Sequence, residues 1–337
     1  MARKPRIGFA LGAGSARGWA HIGVLRALDE AGVKPDLIAG CSIGAVVGAA
    51  YAAARLDQLE DWARALDWKR MLKLMDFGLR GGLIKGRRVR EVFREQFVER
   101  DFSELDVPFA AVATDFHSGQ EIWLREGKVS TAVSASVAVP GLFQPVLHDE
   151  RYLVDGSVVN PVPVSLCRAM GADIVLAVDI GSDLIGRYVR EDDRAPTEVS
   201  SQGFVGRVLS RYAKPSEPQA EPELARPSLL EALMGSINIM QVRIARSRLA
   251  GEPPDVLITP RLGHLGLLDY HRADYAIAEG RDAVARMLGG DIGRLPIVER
   301  HDRRRLVGYL GRAGIMRARV RLHEEETLRE RGSAGRK

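Results

Sequence analysis

Apolar positions along the chain fall into short unbroken runs and longer stretches with three- and four-residue spacing, the signatures of buried strands and amphipathic helices. Ile7, Phe9, Ala10 and Leu11 make the first short run, a strand over Arg6 to Leu11. A glycine-rich stretch, Gly12 to Gly18, follows. Next comes a helix to about Ala31 with Trp19, Ile22, Leu25 and Leu28 on its buried face. Gly32 is placed to end that helix, with Pro35 just beyond. Leu37, Ile38 and Ala39 then lead into Gly40-Cys41-Ser42-Ile43-Gly44 and a small-residue helix from Ala45 to Ala54. This β-loop-α-β-turn-α order predicts two parallel neighbouring strands joined by a right-handed crossover.

From Leu56 to Val98 the pattern is helical, with Trp62, Leu66, Trp68, Met71, Leu72, Leu74 and Met75, before a glycine-punctuated bend at Gly78 to Gly86. Pro108 to Phe116 reads as a strand, and Glu121 to Leu124 as its hairpin partner. Val129 to Val139 is a helix stopped by Pro140-Gly141, and Val146 to Val154 a strand ending in Asp155-Gly156-Ser157. Helices at Val164 to Met170, Ser228 to Ala250 and Asp269 to Leu288 alternate with strands at Ile174 to Ile180 and Asp255 to Thr259. Gly181 to Pro227 departs from this alternation in favour of Ser, Pro, Glu, Asp and Arg. That composition buries too little apolar surface to hold one structure, so a flexible insertion is expected near 181–227. The chain thus reads as an α/β domain over 1–299 followed by a separate tail over 300–337, with no internal repeat.

With 337 residues, 46% hydrophobic and 28% charged, the chain can bury one large core or two modest ones. Its formal charge of +5 is uneven: residues 300–337 carry twelve Arg or Lys against five Asp or Glu, a net of +7, which leaves −2 for residues 1–299. A near-neutral body argues against nucleic-acid binding. The tail sets Leu306, Tyr309, Leu310, Ile315, Met316, Val320 and Leu322 among arginines as a potentially helical run. It reads either as a solvated surface or as a face that docks on anionic lipid or on another subunit in a homo-oligomer. The apolar run after Arg3, Lys4 and Arg6 breaks at Gly12, too short for a signal-peptide core, and no stretch approaches the roughly 18 apolar residues of a membrane span. The expected location is the cytoplasm, with peripheral contact at the inner face of the membrane. Cys41 and Cys167 read as small buried thiols, neither a disulfide framework nor a metal site.

Gly40-x-Ser42-x-Gly44 is the candidate chemistry. A serine forced outward at a strand-to-helix turn leaves no room for a Cβ two residues away on either side. The same turn aims a helix N-terminus at the hydroxyl, where partial positive charge favours a developing oxyanion. The Gly12 to Gly18 loop can supply further donors, because successive backbone N–H groups converge in a glycine-rich turn. As a nucleotide site the loop fits poorly: no Lys-Ser/Thr follows it, the third glycine of a dinucleotide fingerprint arrives one residue late, and the next strand ends without an acidic residue. A hydrolase triad could formally draw on His264 or His271, but only one strand precedes the one that delivers Ser42, whereas the α/β-hydrolase elbow follows several. Asp155, at a strand end before Gly156, is the alternative base. At an ordinary pKa of about 3.9 it is weak, so it needs a desolvated site.

Gly12-x-Gly14-x-x-Arg17-Gly18, Gly40-Cys41-Ser42-Ile43-Gly44 and Asp155-Gly156 together resemble the three ordered signatures of patatin-like phospholipases. Flanking text such as Trp19-Ala20-His21-Ile22-Gly23-Val24-Leu25 is similar to the bacterial RssA-type, NTE-related branch. The resemblance implies a three-layer α/β/α fold with a mainly parallel central sheet, and an esterase or lipid acyl hydrolase working through a Ser-Asp dyad without metal or cofactor. Carried over, Ser42 is the nucleophile and Asp155 its base. The amides of Ala13, Gly14 and Ser15 form the oxyanion hole, with Arg17, Gly12, Gly18, Gly40, Gly44 and Gly156 in support. Ala13 and Ser15 stand where many members have glycine, and Ser157 where the third signature usually has Gly or Ala. Those departures keep open a second reading, a lipid-binding or regulatory protein with little turnover. On the first reading, the aromatic and methionine stripe from Trp62 to Met75 is either core or the wall of an acyl-chain groove beside Ser42.

Overall fold

A computed structural model describes residues 5–67, 99–182, 229–289, 295–299 and 302–310. Its centre is one mixed sheet with strand order β5-β6-β3-β2-β1-β7-β8, and β4 also pairs with β3. The strands are β1 (Ile7–Leu11), β2 (Leu37–Cys41), β3 (Phe109–Asp115), β4 (Glu121–Leu124), β5 (Val146–His148), β6 (Arg151–Asp155), β7 (Ile174–Val178) and β8 (Val256–Ile258). The run β3-β2-β1-β7-β8 is parallel throughout, as the opening β-loop-α-β unit requires. β4 and β6 are antiparallel to β3, and β5 is antiparallel to β6.

The apolar strand runs are continuous because both faces of the sheet are covered. Phe9, Leu11, Ile38, Phe109, Ala111, Leu176 and Val178 face one hydrophobic layer. That layer is built with helices α1 (Ala20–Glu30), α2 (Ile43–Ala52), α3 (Leu56–Arg64), α4 (Val129–Ser136) and α7 (Ala273–Gly289). Ala10, Leu37, Ala39, Ala110, Val112, Val175 and Ala177 point the other way, toward α5 (Val164–Ala169) and α6 (Leu229–Gly251). Alternation of neighbouring residues between the two layers gives the expected α/β/α arrangement.

Three readings of the sequence need correction. Val146 to Val154 is a hairpin rather than one strand: Asp149 and Glu150 both adopt positive φ, 45° and 61°, and turn the chain between β5 and β6. Two adjacent residues in that region make a tight reversal that suits the twist of the strands. Second, the tail does not start as a helix at Arg300. Strands β9 (Leu295–Glu299) and β10 (Asp302–Leu310) pair antiparallel, so Leu306, Tyr309 and Leu310 lie in a strand and the expected 299/300 boundary falls inside a hairpin. Charge drew attention to the arginines, whereas the β-prone residues on both sides of His301 carried the strand signal. Third, α2 starts at Ile43, immediately after Ser42, rather than at Ala45. The stretch Trp68 to Gly86, the insertion after Ser182 and the residues beyond Leu310 lie outside the described residues.

Candidate active site

β2 pairs with Phe109–Val112 of β3, and β6 pairs with Ala113–Asp115. β4 pairs with Ala111–Thr114, opposite both. β2 and β6 therefore share one edge of β3 and run toward each other end to end. Ser42 follows the last residue of β2 and Asp155 is the last residue of β6, so the register alone brings them together. Ser42 Oγ donates to Asp155 Oδ2 at 2.6 Å, across 113 positions of sequence.

Ser42 holds φ 54° and ψ −123°, a conformation L-residues seldom adopt and one that costs roughly 1–3 kcal/mol. The glycines on either side make it attainable. A Cβ on Gly40 would lie 2.5 Å from the Ala45 Cα, and one on Gly44 would lie 2.2 Å from the Leu11 carbonyl oxygen. Both are collisions with main chain, which cannot step aside. The Ser42 amide donates to Ser136 Oγ at 2.9 Å, at the end of α4, which fixes the elbow from the side.

Asp155 is fully buried. Burial raises its carboxyl from an ordinary 3.8 to about 6, opposed by the nearby Ser157 side chain and by hydrogen bonds from the Ser42 hydroxyl and the Ser157 amide. That is the desolvated environment a weak carboxylate would need to act as a base. The Asp155 amide donates to the Ala138 carbonyl at 2.9 Å, and Thr114 Oγ1 donates to the Asp155 carbonyl at 2.9 Å. The residue is thus held at its N–H, its C=O and both carboxyl oxygens. Gly156 accepts from the amides of Val159 and Asn160, which turns the chain away directly after the aspartate.

In the glycine-rich loop, the Gly12 amide donates to Val178 O and the Ala13 amide to Pro161 O at 2.9 Å. Ala13 is therefore anchored to the scaffold and leaves the set of donors expected to face an oxyanion. Among the described residues the amides of Gly14 and Ser15 donate to no protein acceptor. Ser15 reaches φ 55°, and its hydroxyl lies 2.7 Å from Tyr270 Oη. A short 3-10 helix, Ser15–Trp19, carries Arg17 and Gly18. Gly18 packs on Ile43, beside Ser42.

Arg17 is buried, and its Nε donates to the Leu265 carbonyl at 2.9 Å. Desolvation lowers its guanidinium to about 10, against the pull of Asp269, so the side chain remains charged at neutral pH. Ala16 N donates to Leu267 O and Trp19 Nε1 to Tyr270 O. The strap from Leu262 to Arg272 thus clamps the loop along its length, and Arg17 acts through this strap.

Sequence reasoning missed four contributors: Ser136, Tyr270, Gln241 and His21. His21 Nε2 lies 2.8 Å from the Gly12 carbonyl oxygen, and burial pushes its imidazole down to about 4, so it is neutral and donates this bond from beneath the loop. Its position three residues after Gly18 on an apolar helix face was the available signal. Gln241 Nε2 donates to Ser157 Oγ at 2.6 Å. Neither histidine weighed as a triad base joins the site: His264 stands edge-on to Tyr275, and His271 lies exposed beside Tyr270. Cys41 and Cys167 are buried free thiols, as expected. Burial pushes the Cys41 thiol far up, helped by Asp155 and Glu121.

The family model described as patatin-like phospholipase matches residues 9–168, a span that contains the glycine-rich loop, the serine elbow and the aspartate turn. A Mycobacterium tuberculosis protein named as an uncharacterized NTE family protein is 32% identical over 322 residues, covering 82% of this chain and 89% of that one. Patatin-like phospholipase domain-containing protein 6 of Mus musculus is 35% identical over 188 residues, 52% of this chain and 14% of that much longer protein. The crystal structure of VipD from Legionella pneumophila superposes with a TM-score of 0.44 at 14% identity, covering 85% of this chain and 67% of that one. The family model and the Mycobacterium tuberculosis relative, matched over most of its length, agree with the ordered motifs: the chain belongs to the patatin-like phospholipase family, alongside the NTE family proteins.

Proposed function

We propose that the chain is a serine lipid acyl hydrolase of the phospholipase or lysophospholipase type, with Ser42 as nucleophile and Asp155 as its base. The observation that carries this reading is the 2.6 Å hydrogen bond from Ser42 Oγ to a buried Asp155. Ser42 Oγ attacks the acyl carbonyl carbon while its proton passes to Asp155 Oδ2. The carbonyl oxygen becomes an oxyanion that accepts from the Gly14 and Ser15 amides, assisted by the N-terminal dipole of α2. Collapse of this intermediate breaks the bond to the leaving alcohol, which takes the proton from Asp155. Asp155 then draws a proton from water, the hydroxyl adds to the acyl-Ser42 ester, and Ser42 leaves with the proton returned.

Desolvation matters here because an aspartate near pH 4 would be too weak a base for a serine hydroxyl, whereas one near 6 is still ionised at neutral pH. Relatives named for phospholipase domains support the lipid ester class. The basic segment 311–337, with eight Arg or Lys and four Glu, supports contact with an anionic membrane surface. The deciding experiment is fluorophosphonate labelling followed by peptide mass spectrometry. Stoichiometric modification of Ser42, lost in Ser42→Ala, is expected. A folded protein that binds lipid vesicles but leaves Ser42 unlabelled would overturn the enzyme reading in favour of lipid binding without turnover.

A further inference from the structure

One short segment, residues 156–161, joins Asp155 to the glycine-rich loop. It leaves the aspartate at Gly156, and at its far end the Pro161 carbonyl accepts the Ala13 amide at 2.9 Å. Gly14 and Ser15, whose amides donate to no described acceptor, follow Ala13 directly. The place of Pro161 therefore decides where those two amides stand relative to Ser42 and Asp155. Bonds inside the segment, from the Ser157 amide to Asp155 Oδ1 and from the Asn160 amide to Gly156 O, tighten it without tying it to the sheet. The tie is the Asn160 side chain. Asn160 is 1% exposed, and its Nδ2 donates to Glu121 Oε1 at 2.8 Å and to Ser165 Oγ at 3.0 Å, one acceptor for each amide hydrogen. Glu121 opens β4 opposite Thr114 of β3, and Thr114 Oγ1 holds the Asp155 carbonyl. Glu121 is itself fixed, by Trp123 Nε1 on Oε1 at 2.7 Å and by Arg248 Nη2 on Oε2 at 2.6 Å. The base and the tether thus start from one pair of residues in the sheet.

We propose that Asn160 is a positioning residue for the reaction: anchored on Glu121, it sets the distance between the catalytic base and the amides of the glycine-rich loop. This rests on the dyad reading above. Asn160 acts through its neighbour Pro161, whose ring fixes φ and so carries the carbonyl stiffly to Ala13. Its own oxygen, Oδ1, is buried without a partner among the described residues. For stability alone that is a poor choice, because an apolar side chain of the same size would leave no orphan acceptor in the interior. What the amide contributes instead is two donor bonds of fixed direction, next to the peptide that holds the loop.

The test is steady-state hydrolysis of a short-chain p-nitrophenyl ester, with active sites counted by fluorophosphonate labelling of Ser42 taken to completion. Asn160→Ala removes the tether, and Asn160→Asp keeps its size while turning an acceptor toward Glu121. A misplacement of about 1 Å costs about a hundredfold in rate, so kcat should fall about ten- to a hundredfold in both variants, with KM within about twofold. The inhibition constant of an alkyl trifluoromethyl ketone, whose adduct with Ser42 bears the same oxyanion, should rise by the same factor. An asparagine that only stabilised the fold would lower the thermal midpoint and leave both quantities unchanged per labelled site. Glu121 is only partly buried, so Glu121→Ala keeps the test usable if the Asn160 variants fold poorly. It should reproduce the loss, and the double variant Asn160→Ala/Glu121→Ala should be no slower than the slower single one. Native kcat per labelled site in a folded variant, or losses that multiply in the double variant, would overturn the tether and leave the dyad standing. A native chain with neither Ser42 labelling nor ester hydrolysis would take down the dyad and the tether together.

Discussion

Cys41 and Asp155 occupy consecutive positions along β3, Cys41 opposite Val112 and Asp155 opposite Ala113. β2 arrives from one direction and β6 from the other, and the register lets both stop at the same point. The serine elbow and the aspartate turn are thus two ends of one interrupted ladder. A rigid sheet fixes their separation, so hydrogen-bond geometry does not depend on a loop finding its place.

Asp155 and His21 contribute opposite pH dependences to stability. Unfolded Asp155 titrates near 3.8 and folded Asp155 near 6, so as pH rises through this window the unfolded chain ionises first and stability falls by about 3 kcal/mol. For His21 the folded value of about 4 lies below the unfolded 6.5. Between them the unfolded chain binds more protons, and stability rises with pH by about 3 kcal/mol. The two trends offset in the native chain. Asp155→Asn removes only the first, so its stability should climb between pH 4 and 6.5 and exceed the native value at pH 7. The gain is about 3 kcal/mol less whatever the Asn amide loses by facing a donor. Urea titrations at pH 4, 5.5 and 7 measure this, and an Asp155→Asn curve parallel to the native one would refute the buried-carboxylate account.

Strain at Ser42 has its own signature. Ser42→Ala and Ser42→Gly both remove the hydroxyl and on the proposed mechanism both should abolish hydrolysis, but only glycine relaxes a backbone at φ 54°. Ser42→Gly should be more stable than Ser42→Ala by about 1 kcal/mol. Equal thermal midpoints for the pair would mean that the elbow stores no strain.

Much of this arrangement was legible before coordinates. Gly40 and Gly44 announced the crowded elbow, and continuous apolar runs such as Leu37 to Ala39 announced strands covered on both faces. Illegible parts were those set by contact rather than pattern. Ala13 looked as good a donor as Gly14 until its amide met Pro161 O. Tyr270, Gln241 and Ser136 are ordinary polar residues whose role exists only because distant elements dock near Ser42 and Asp155. Asp149 and Glu150 carry no glycine to advertise positive φ, so the β5–β6 turn was hidden in an apparently continuous strand.

Removal of residues 311–337 tests the membrane proposal. The segment carries a net of four positive charges, eight Arg or Lys against four Glu. Each basic residue near an anionic surface is worth about 1 kcal/mol, screened within a Debye length. Truncation after Leu310 should weaken co-sedimentation with phosphatidylserine vesicles at least about tenfold at low salt, and the difference should shrink as salt rises. Unchanged binding at low salt would assign the tail to a solvated surface.

Tyr270→Phe probes the strap on the glycine-rich loop, the proposed oxyanion hole. Its hydroxyl meets Ser15 Oγ at 2.7 Å, and Ser15 is the loop residue held at positive φ with a free amide. Bonds from the Ala16 amide, Arg17 Nε and Trp19 Nε1 to carbonyls of the strap survive the substitution, so the fold should hold with little change in thermal midpoint. What is lost is the contact that holds Ser15, whose amide is a donor to the oxyanion in the proposed mechanism. Removing a whole oxyanion donor costs two to three orders of magnitude in kcat, so loosening one should cost about tenfold. The loss should fall on kcat with KM nearly constant, because a donor aimed at the oxyanion acts in the transition state and not on the bound ester. A raised KM with kcat unchanged would instead make Tyr270 a substrate contact and remove it from the support of the loop.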